Sequence, residues 1–323
     1  MIDFSILPAI TQNIIILISV VAIKIVISQF STDNSMRYFR FYCQRLSDKV
    51  NKPSNSHYQQ KISGLVALFI TLTPIIVIVW LFEEFIAIKW LWQSLLLYIS
   101  LGSFHFSSLG NSIQLALKSD HKNKARELLQ QECLRDTSML STFGLSKATI
   151  EMQLLKHLQL HIIVGCCFLF VGPIMALSYR LLLEMHYSWN TKIKRFQYFG
   201  LASNFLLQLV LWLPLRLYYC LYLLTTLGQR TPLFLRSTWQ YFFQLNTNII
   251  IMLHALKLNT QLAGVAMYSQ QKLRRSNINS SANQADISDI VNASKQLFVI
   301  DILIVILLLA IAIFGYLLPL ITS

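Results

Sequence analysis

Two short polar motifs carry whatever chemistry this chain can do. Arg135-Asp136-Thr137 and, a little further on, Ala148-Thr149-Ile150-Glu151 gather acids, a base and hydroxyls within a chain that is otherwise mostly apolar. A guanidinium presents a planar set of donors suited to carboxylate and phosphate, and ionisable groups kept beside a bilayer usually serve a function. With Arg126 and Lys147 as further counter-charges, Arg126, Arg135, Asp136, Thr137, Thr149 and Glu151 read as a site for an anionic or polar ligand. The plainer alternative is a solvated helix whose charges pair among themselves. On the site reading, Glu151→Ala is expected to spare folding and abolish binding.

Gly144 followed by Ser146 suggests a helix start, with Ser at the cap. From there Thr149, Gln153, His157 and His161 recur every four residues and share one helix face. His157 and His161 have the spacing of a metal-binding pair, but Leu158-Gln159-Leu160 lies between them, with no Glu and no third ligand, so no metal site is assigned. No phosphate-cradling glycine loop and no nucleophile elbow is present, so motifs assign no catalytic residue and no cofactor.

The elements that must hold these residues are those of a membrane protein. Hydrophobic residues make up 55% and charged residues 13%, and the mean hydropathy is +0.54, which excludes an ordinary soluble domain. The 27 basic against 14 acidic residues, a net charge of +13, fit loops held against anionic lipid; no basic run with interleaved aromatics points to nucleic acid. A span needs about 20 apolar residues. Runs near 6–28, 62–82, 91–108, 162–183, 201–227 and 297–320 qualify, giving an all-α polytopic bundle of about five to six spans in a single domain, 1–323. The intervening stretches 29–61, 109–160 and 228–296 are basic and therefore cytoplasmic. Within the last, Leu233 to Tyr268 reads as an amphipathic helix and Ser276 to Ser294 as a flexible linker.

Taken together, Ala125-Arg126, Arg135-Asp136-Thr137, Ala148-Thr149-Ile150-Glu151, Gly172, Tyr179-Arg180, Phe199-Gly200 and Pro214-x-Arg216 resemble the CobD/CbiB family of cobalamin-biosynthesis membrane proteins, without a gap from Arg135 to Arg216. The resemblance implies a bacterial inner-membrane protein and adds Arg216 to the candidate ligand-binding residues. Ligase members of the family join aminopropanol or its phosphate to adenosylcobyric acid as an amide, with Mg and ATP as the implied cofactors.

Departures fall where that pattern is richest in polar groups. The family's Glu-Asn and Asp-Gly positions hold Leu155-Lys156 and Gln159-Leu160; its Asp-Asp pair becomes Leu207-Gln208, and a glutamate position holds Ile251. Such losses resemble AmpE, a reduced relative tied to β-lactamase induction, as does the ending Ile313-Phe314-Gly315-Tyr316. The expectation is therefore a non-catalytic inner-membrane regulator or sensor without cofactors, partnered by the bilayer and by a cytosolic protein or polar small molecule. The amide ligase stands as the alternative, with small-molecule transport third.

Overall fold

A computed structural model describes residues 8–30, 35–228, 231–269 and 271–322, with side chains as far as residue 317. In chain order its helices are α1 (Ala9–Phe30), α2 (Arg37–Val50), α3 (His57–Glu83), α4 (Lys89–Ser100), α5 (Phe106–Lys118), α6 (Lys122–Gln130), α7 (Thr142–His157), α8 (Ile163–Phe170), α9 (Pro173–Ser188), α10 (Leu201–Leu224), α11 (Thr231–Phe242), α12 (Asn248–Leu258) and α13 (Ile287–Thr322). A π-helical turn, Leu158–Ile162, joins α7 to α8. Among the described residues 5 helices are long and apolar enough to cross a membrane: Ala9–Phe30, His57–Glu83, Thr142–Phe170, Leu201–Leu224 and Ile287–Leu317. The chain is an all-α polytopic membrane protein, and these helices place it in a lipid bilayer.

Four expected runs reappear as α1, α3, α10 and α13, though Ile6 and Leu7 lie outside the described residues. Two do not form single helices. The run 91–108 breaks at Leu101, whose backbone is extended (ψ 140°), and Gly102 N–H then donates to Leu160 O at 3.2 Å. The run 162–183 breaks at Gly172, at φ +121° ahead of Pro173, which opens α9. The fifth long apolar helix instead begins at Thr142, inside the stretch assigned to cytoplasmic loop.

The contacts divide the chain into two compact units. The first comprises Met1–Phe104, Gln159–Leu207 and Asp301–Ser323. In it α9 packs against α2, α3, α4 and α8, and α1 packs against α4 and α8. Trp189, fully buried, donates Nε1–H to Cys43 O at 3.0 Å. Lys24 of α1 is buried, its ammonium donating to Tyr98 O at 3.1 Å and lying 4.0 Å from the Tyr98 ring centroid. Carbonyl and ring thus replace the water that an apolar helix denies the charge.

The second unit comprises His105–Leu158 and Gln208–Ile300. There α5 packs on α6 and α7, and α12 packs on α11. The expected single amphipathic helix over Leu233 to Tyr268 ends instead at Asn259, in the left-handed conformation (φ 54°). Five short strands follow: β1 (Thr260–Ala263), β2 (Ala266–Tyr268), β3 (Gln271–Leu273), β4 (Asn277–Ile278) and β5 (Asn283–Gln284). β1 lies between β4, antiparallel with Leu262 opposite Ile278, and β5, parallel with Thr260 opposite Asn283; β2 and β3 form a hairpin. The presumed linker therefore contains two strands and the start of α13. Buried Ile278, Ala285, Ile290 and Ala293 supply the apolar anchorage that its Ser/Asn-rich composition hides.

Candidate functional site

Ser141, five residues before the expected cap, starts α7: its Oγ accepts from Gly144 N–H at 3.3 Å. Ser146 lies buried inside the helix. The loop before it is tied down by its own polar residues. Asp136 accepts from Ser138 N–H at 3.0 Å and from Ser138 Oγ–H at 2.7 Å, bonds that hold its carboxyl below the usual range. Its own N–H donates to Met267 O at 2.9 Å. Thr137 N–H donates to Gln130 Oε1 at 2.9 Å, and its hydroxyl lies 3.0 Å from Arg126 O. Arg126 donates to Leu140 O at 3.0 Å and to Asn123 Oδ1 at 3.1 Å. Arg126, Asp136 and Thr137 therefore shape the loop, and the loop turns Arg135 inward.

Arg135 meets Glu151 there. Glu151 Oε1 accepts from Ala263 N–H at 2.8 Å; Oε2 lies 3.4 Å from Arg275 Nη2 and 3.8 Å from Arg135 Nη1. Arg275 also donates Nε–H to Gly264 O at 3.1 Å. Gly264 sits at φ +92°, where a Cβ would collide with Asn277 Oδ1 and come within 3.3 Å of Lys147 Nζ. Only glycine lets backbone, Arg275 and Lys147 converge this closely. Arg135, Lys147 and Arg275 thus surround a single carboxylate, leaving a net positive site. Arg135 Nη2 is buried with no hydrogen-bond partner among the described residues, which is uncommon for a buried donor.

The remaining candidates go elsewhere. Thr149, fully buried, donates its hydroxyl to Leu145 O at 2.8 Å within its own helix, as β-hydroxyl residues do mid-helix. Arg216 donates to the carbonyls of Phe242 (Nε, 2.9 Å), Gln244 (2.7 Å) and Trp212 (3.1 Å), with its guanidinium carbon 4.8 Å from the Trp212 ring centroid. It caps the carbonyl end of α11, where a cation offsets the helix dipole. Gln153 donates to Ser294 Oγ at 2.8 Å. His161 lies 3.1 Å from Ser103 O and stacks on Phe104.

Sequence reasoning gave no site role to Arg275, nor to Glu132 and His254. Glu132 lies 3.3 Å from His105 Nε2 and 3.3 Å from Lys156 Nζ. Burial works to raise its carboxyl, but His105 and Lys156 outweigh it and hold the group below its ordinary value. His254 is buried between Tyr218 OH at 3.1 Å and Gln296 Oε1 at 3.2 Å, and Gln296 also accepts from Tyr222 OH at 3.0 Å. With two donors converging on the Gln296 oxygen, His254 carries its proton on Nδ1 and accepts from Tyr218 on Nε2. Burial holds it neutral, with a pKa of about 3.

The family model for CobD/Cbib protein matches residues 15–297. The cobalamin biosynthesis protein CobD of Chromobacterium violaceum is 26% identical over 217 residues, 66% of this chain and 69% of its own length. That of Stutzerimonas stutzeri is 25% identical over 226 residues, 69% and 75% of the two chains. No solved structure matches. These relatives overturn the expectation of a non-catalytic regulator: both bear a biosynthetic name, and nothing in their names supports the AmpE-like character. The error lay in treating each replaced carboxylate or amide as a lost function. Lys156, at one departing position, pairs with Glu132, and Gln159, at another, accepts from Tyr187 OH at 2.6 Å, so polar contacts persist there in other chemistry. Matched by the family model over residues 15–297 and assembled from the family's own motifs, the chain belongs to the CobD/CbiB family.

Proposed function

We propose that this protein is an amide ligase of cobalamin biosynthesis, of the adenosylcobinamide-phosphate synthase type, joining the carboxylate of adenosylcobyric acid to the amine of aminopropanol phosphate. The observation that carries the site assignment is the net positive cluster in which Arg135, Lys147 and Arg275 gather about Glu151 while Arg135 Nη2 lacks an acceptor. A phosphate monoester is the ligand that such a cluster suits: it supplies several acceptor oxygens and the missing negative charge. Arg135, Lys147 and Arg275 bind it, and Glu151 positions the two arginines. The family membership and the names of the relatives support the reaction class.

Amide formation from a free carboxylate needs activation, which a nucleoside triphosphate supplies as co-substrate. The cluster does not suit a resident divalent cation. Among the described residues no three His, Cys, Asp or Glu side chains converge, and Glu151 already serves Ala263 and two arginines. No step is therefore routed through a protein-held metal. We further place the chain in the bacterial inner membrane, as its family suggests, with the phosphate-bearing amine as its polar small-molecule partner. Expression in a cobalamin auxotroph lacking its own amide ligase tests the reading. Growth without added corrinamide supports it; failure to grow despite normal accumulation in the membrane counts against it. For the site, Arg275→Gln is expected to raise KM for aminopropanol phosphate about tenfold or more, with a smaller effect on kcat.

A further inference from the structure

Unpartnered polar atoms are concentrated on one face of α9. Arg180, Glu184 and Ser188 lie at successive four-residue steps and so share that face. Arg180 Nε and Nη1, Glu184 Oε2 and Ser188 Oγ are all buried without a hydrogen-bond partner among the described residues. The Arg180 side chain is only 8% and that of Glu184 only 4% exposed, and the one bond between them runs from Arg180 Nη2 to Glu184 Oε1 at 2.8 Å. Arg40 of α2 brings its Nε within 3.2 Å of Glu184 Oε2, off the line of a hydrogen bond, with its side chain 46% exposed. Two guanidiniums against one carboxylate leave an excess positive charge there, and Arg180 Nε and Nη1 meet no acceptor among the described residues.

A folded protein rarely tolerates that. Buried polar groups are almost always paired, and a buried arginine with idle donors is costly because its desolvation is uncompensated. Glu184 alone does not resolve it, since it satisfies only one guanidinium nitrogen and already neighbours Arg40. A bound group with acceptor oxygens would satisfy Arg180 Nε and Nη1, while a hydroxyl or amide on the same molecule would suit Glu184 Oε2 and Ser188. Arg40 is the solvent-exposed member of the set.

We propose that Arg180 and Arg40, positioned by Glu184, form a second binding site for a singly charged oxyanion, separate from the phosphate cluster at Glu151. A free carboxylate and the phosphodiester of an anionic lipid share this chemistry. The full-length protein is placed in nanodiscs of phosphatidylcholine, either titrated with acetate or prepared with a share of phosphatidylglycerol, and its Tm is followed. A rise with acetate identifies a soluble carboxylate as a competent ligand, and a rise with phosphatidylglycerol alone identifies lipid; either supports the site.

Arg180→Gln combined with Glu184→Gln removes both buried charges together and is expected to weaken the effective probe at least tenfold. Arg40→Gln leaves the buried pair intact and is expected to weaken it about threefold; it keeps the test decisive should the paired variant fail to fold. Arg275→Gln is expected to leave this binding unchanged. The proposal is overturned if neither probe shifts the wild type, if the shift is undiminished in Arg40→Gln, or if it disappears in Arg275→Gln. None of these results bears on the ligase reading, which is judged by the KM of Arg275→Gln.

Discussion

Truncating Glu151 should destabilise the fold, not merely empty a site. In Glu151→Ala the buried N–H of Ala263 loses a charge-assisted acceptor at 2.8 Å, which is worth about 1.5–3 kcal/mol. Arg135, 10% exposed at its side chain, loses its neighbouring counter-charge. Breaking a fully buried pair costs about 3–5 kcal/mol, but the Arg275 side chain keeps 25% of its exposure and so retains water, which puts the loss near the lower end, about 3 kcal/mol. Glu151→Gln keeps an amide oxygen for Ala263 and surrenders only the charge, so it should lose about 1–2 kcal/mol. Unfolding in mixed micelles with a rising fraction of denaturing detergent, followed by circular dichroism, measures both. Equal losses for Ala and Gln, or losses below about 1 kcal/mol for both, would refute the assignment of Glu151 as the hub joining α7, β1 and the two arginines. The expectation that Glu151→Ala spares folding is thereby replaced.

Arg216→Gln should cost about 2–4 kcal/mol through the uncapped α11 carbonyls while the folded fraction keeps its KM for the amine; a raised KM at full stability would return Arg216 to the binding site. Gly264→Ala, forced into φ +92° against Asn277, should lose about 1–3 kcal/mol and weaken aminopropanol phosphate, both readable from one thermal titration. His254 has a folded pKa depressed from 6.5 to about 3, so between those values the unfolded chain binds the extra proton. Stability should fall as pH drops from about 6.5 toward 3, and His254→Gln should flatten that slope; an unchanged slope would show that the proton is taken up elsewhere.

What the sequence disclosed follows from where each signal resides. A bilayer demands about 20 apolar residues in a row, so α1, α3, α10 and α13 are visible in composition alone. The breaks at Leu101 and Gly172 are decided by a backbone bond to Leu160 and by a positive φ ahead of proline; Gly172-Pro173 was in plain view, but the apolar run around it dominated. The strands after Asn259 are short and set in Ser/Asn-rich sequence, and their pairing joins residues far apart in the chain. The site shows the same division. Arg135 and Glu151 stand near each other in the chain and do meet, whereas Arg275 reaches Glu151 across 124 residues, a pairing that no local pattern carries. Arg216 was recognised by motif, yet its partners are carbonyls, which a sequence does not display. The replaced carboxylate and amide positions misled for the opposite reason: a substitution is visible in sequence, and the contact that takes over its place is not.

The central claim is tested most directly by incubating the purified full-length protein in nanodiscs with adenosylcobyric acid, aminopropanol phosphate, ATP and Mg²⁺, and following the corrinoid by mass spectrometry. The account predicts accumulation of the amide, dependent on all three organic reactants and sharply reduced at low amine concentration in Arg275→Gln. Folded protein that yields no amide under conditions where an authentic ligase does would contradict it.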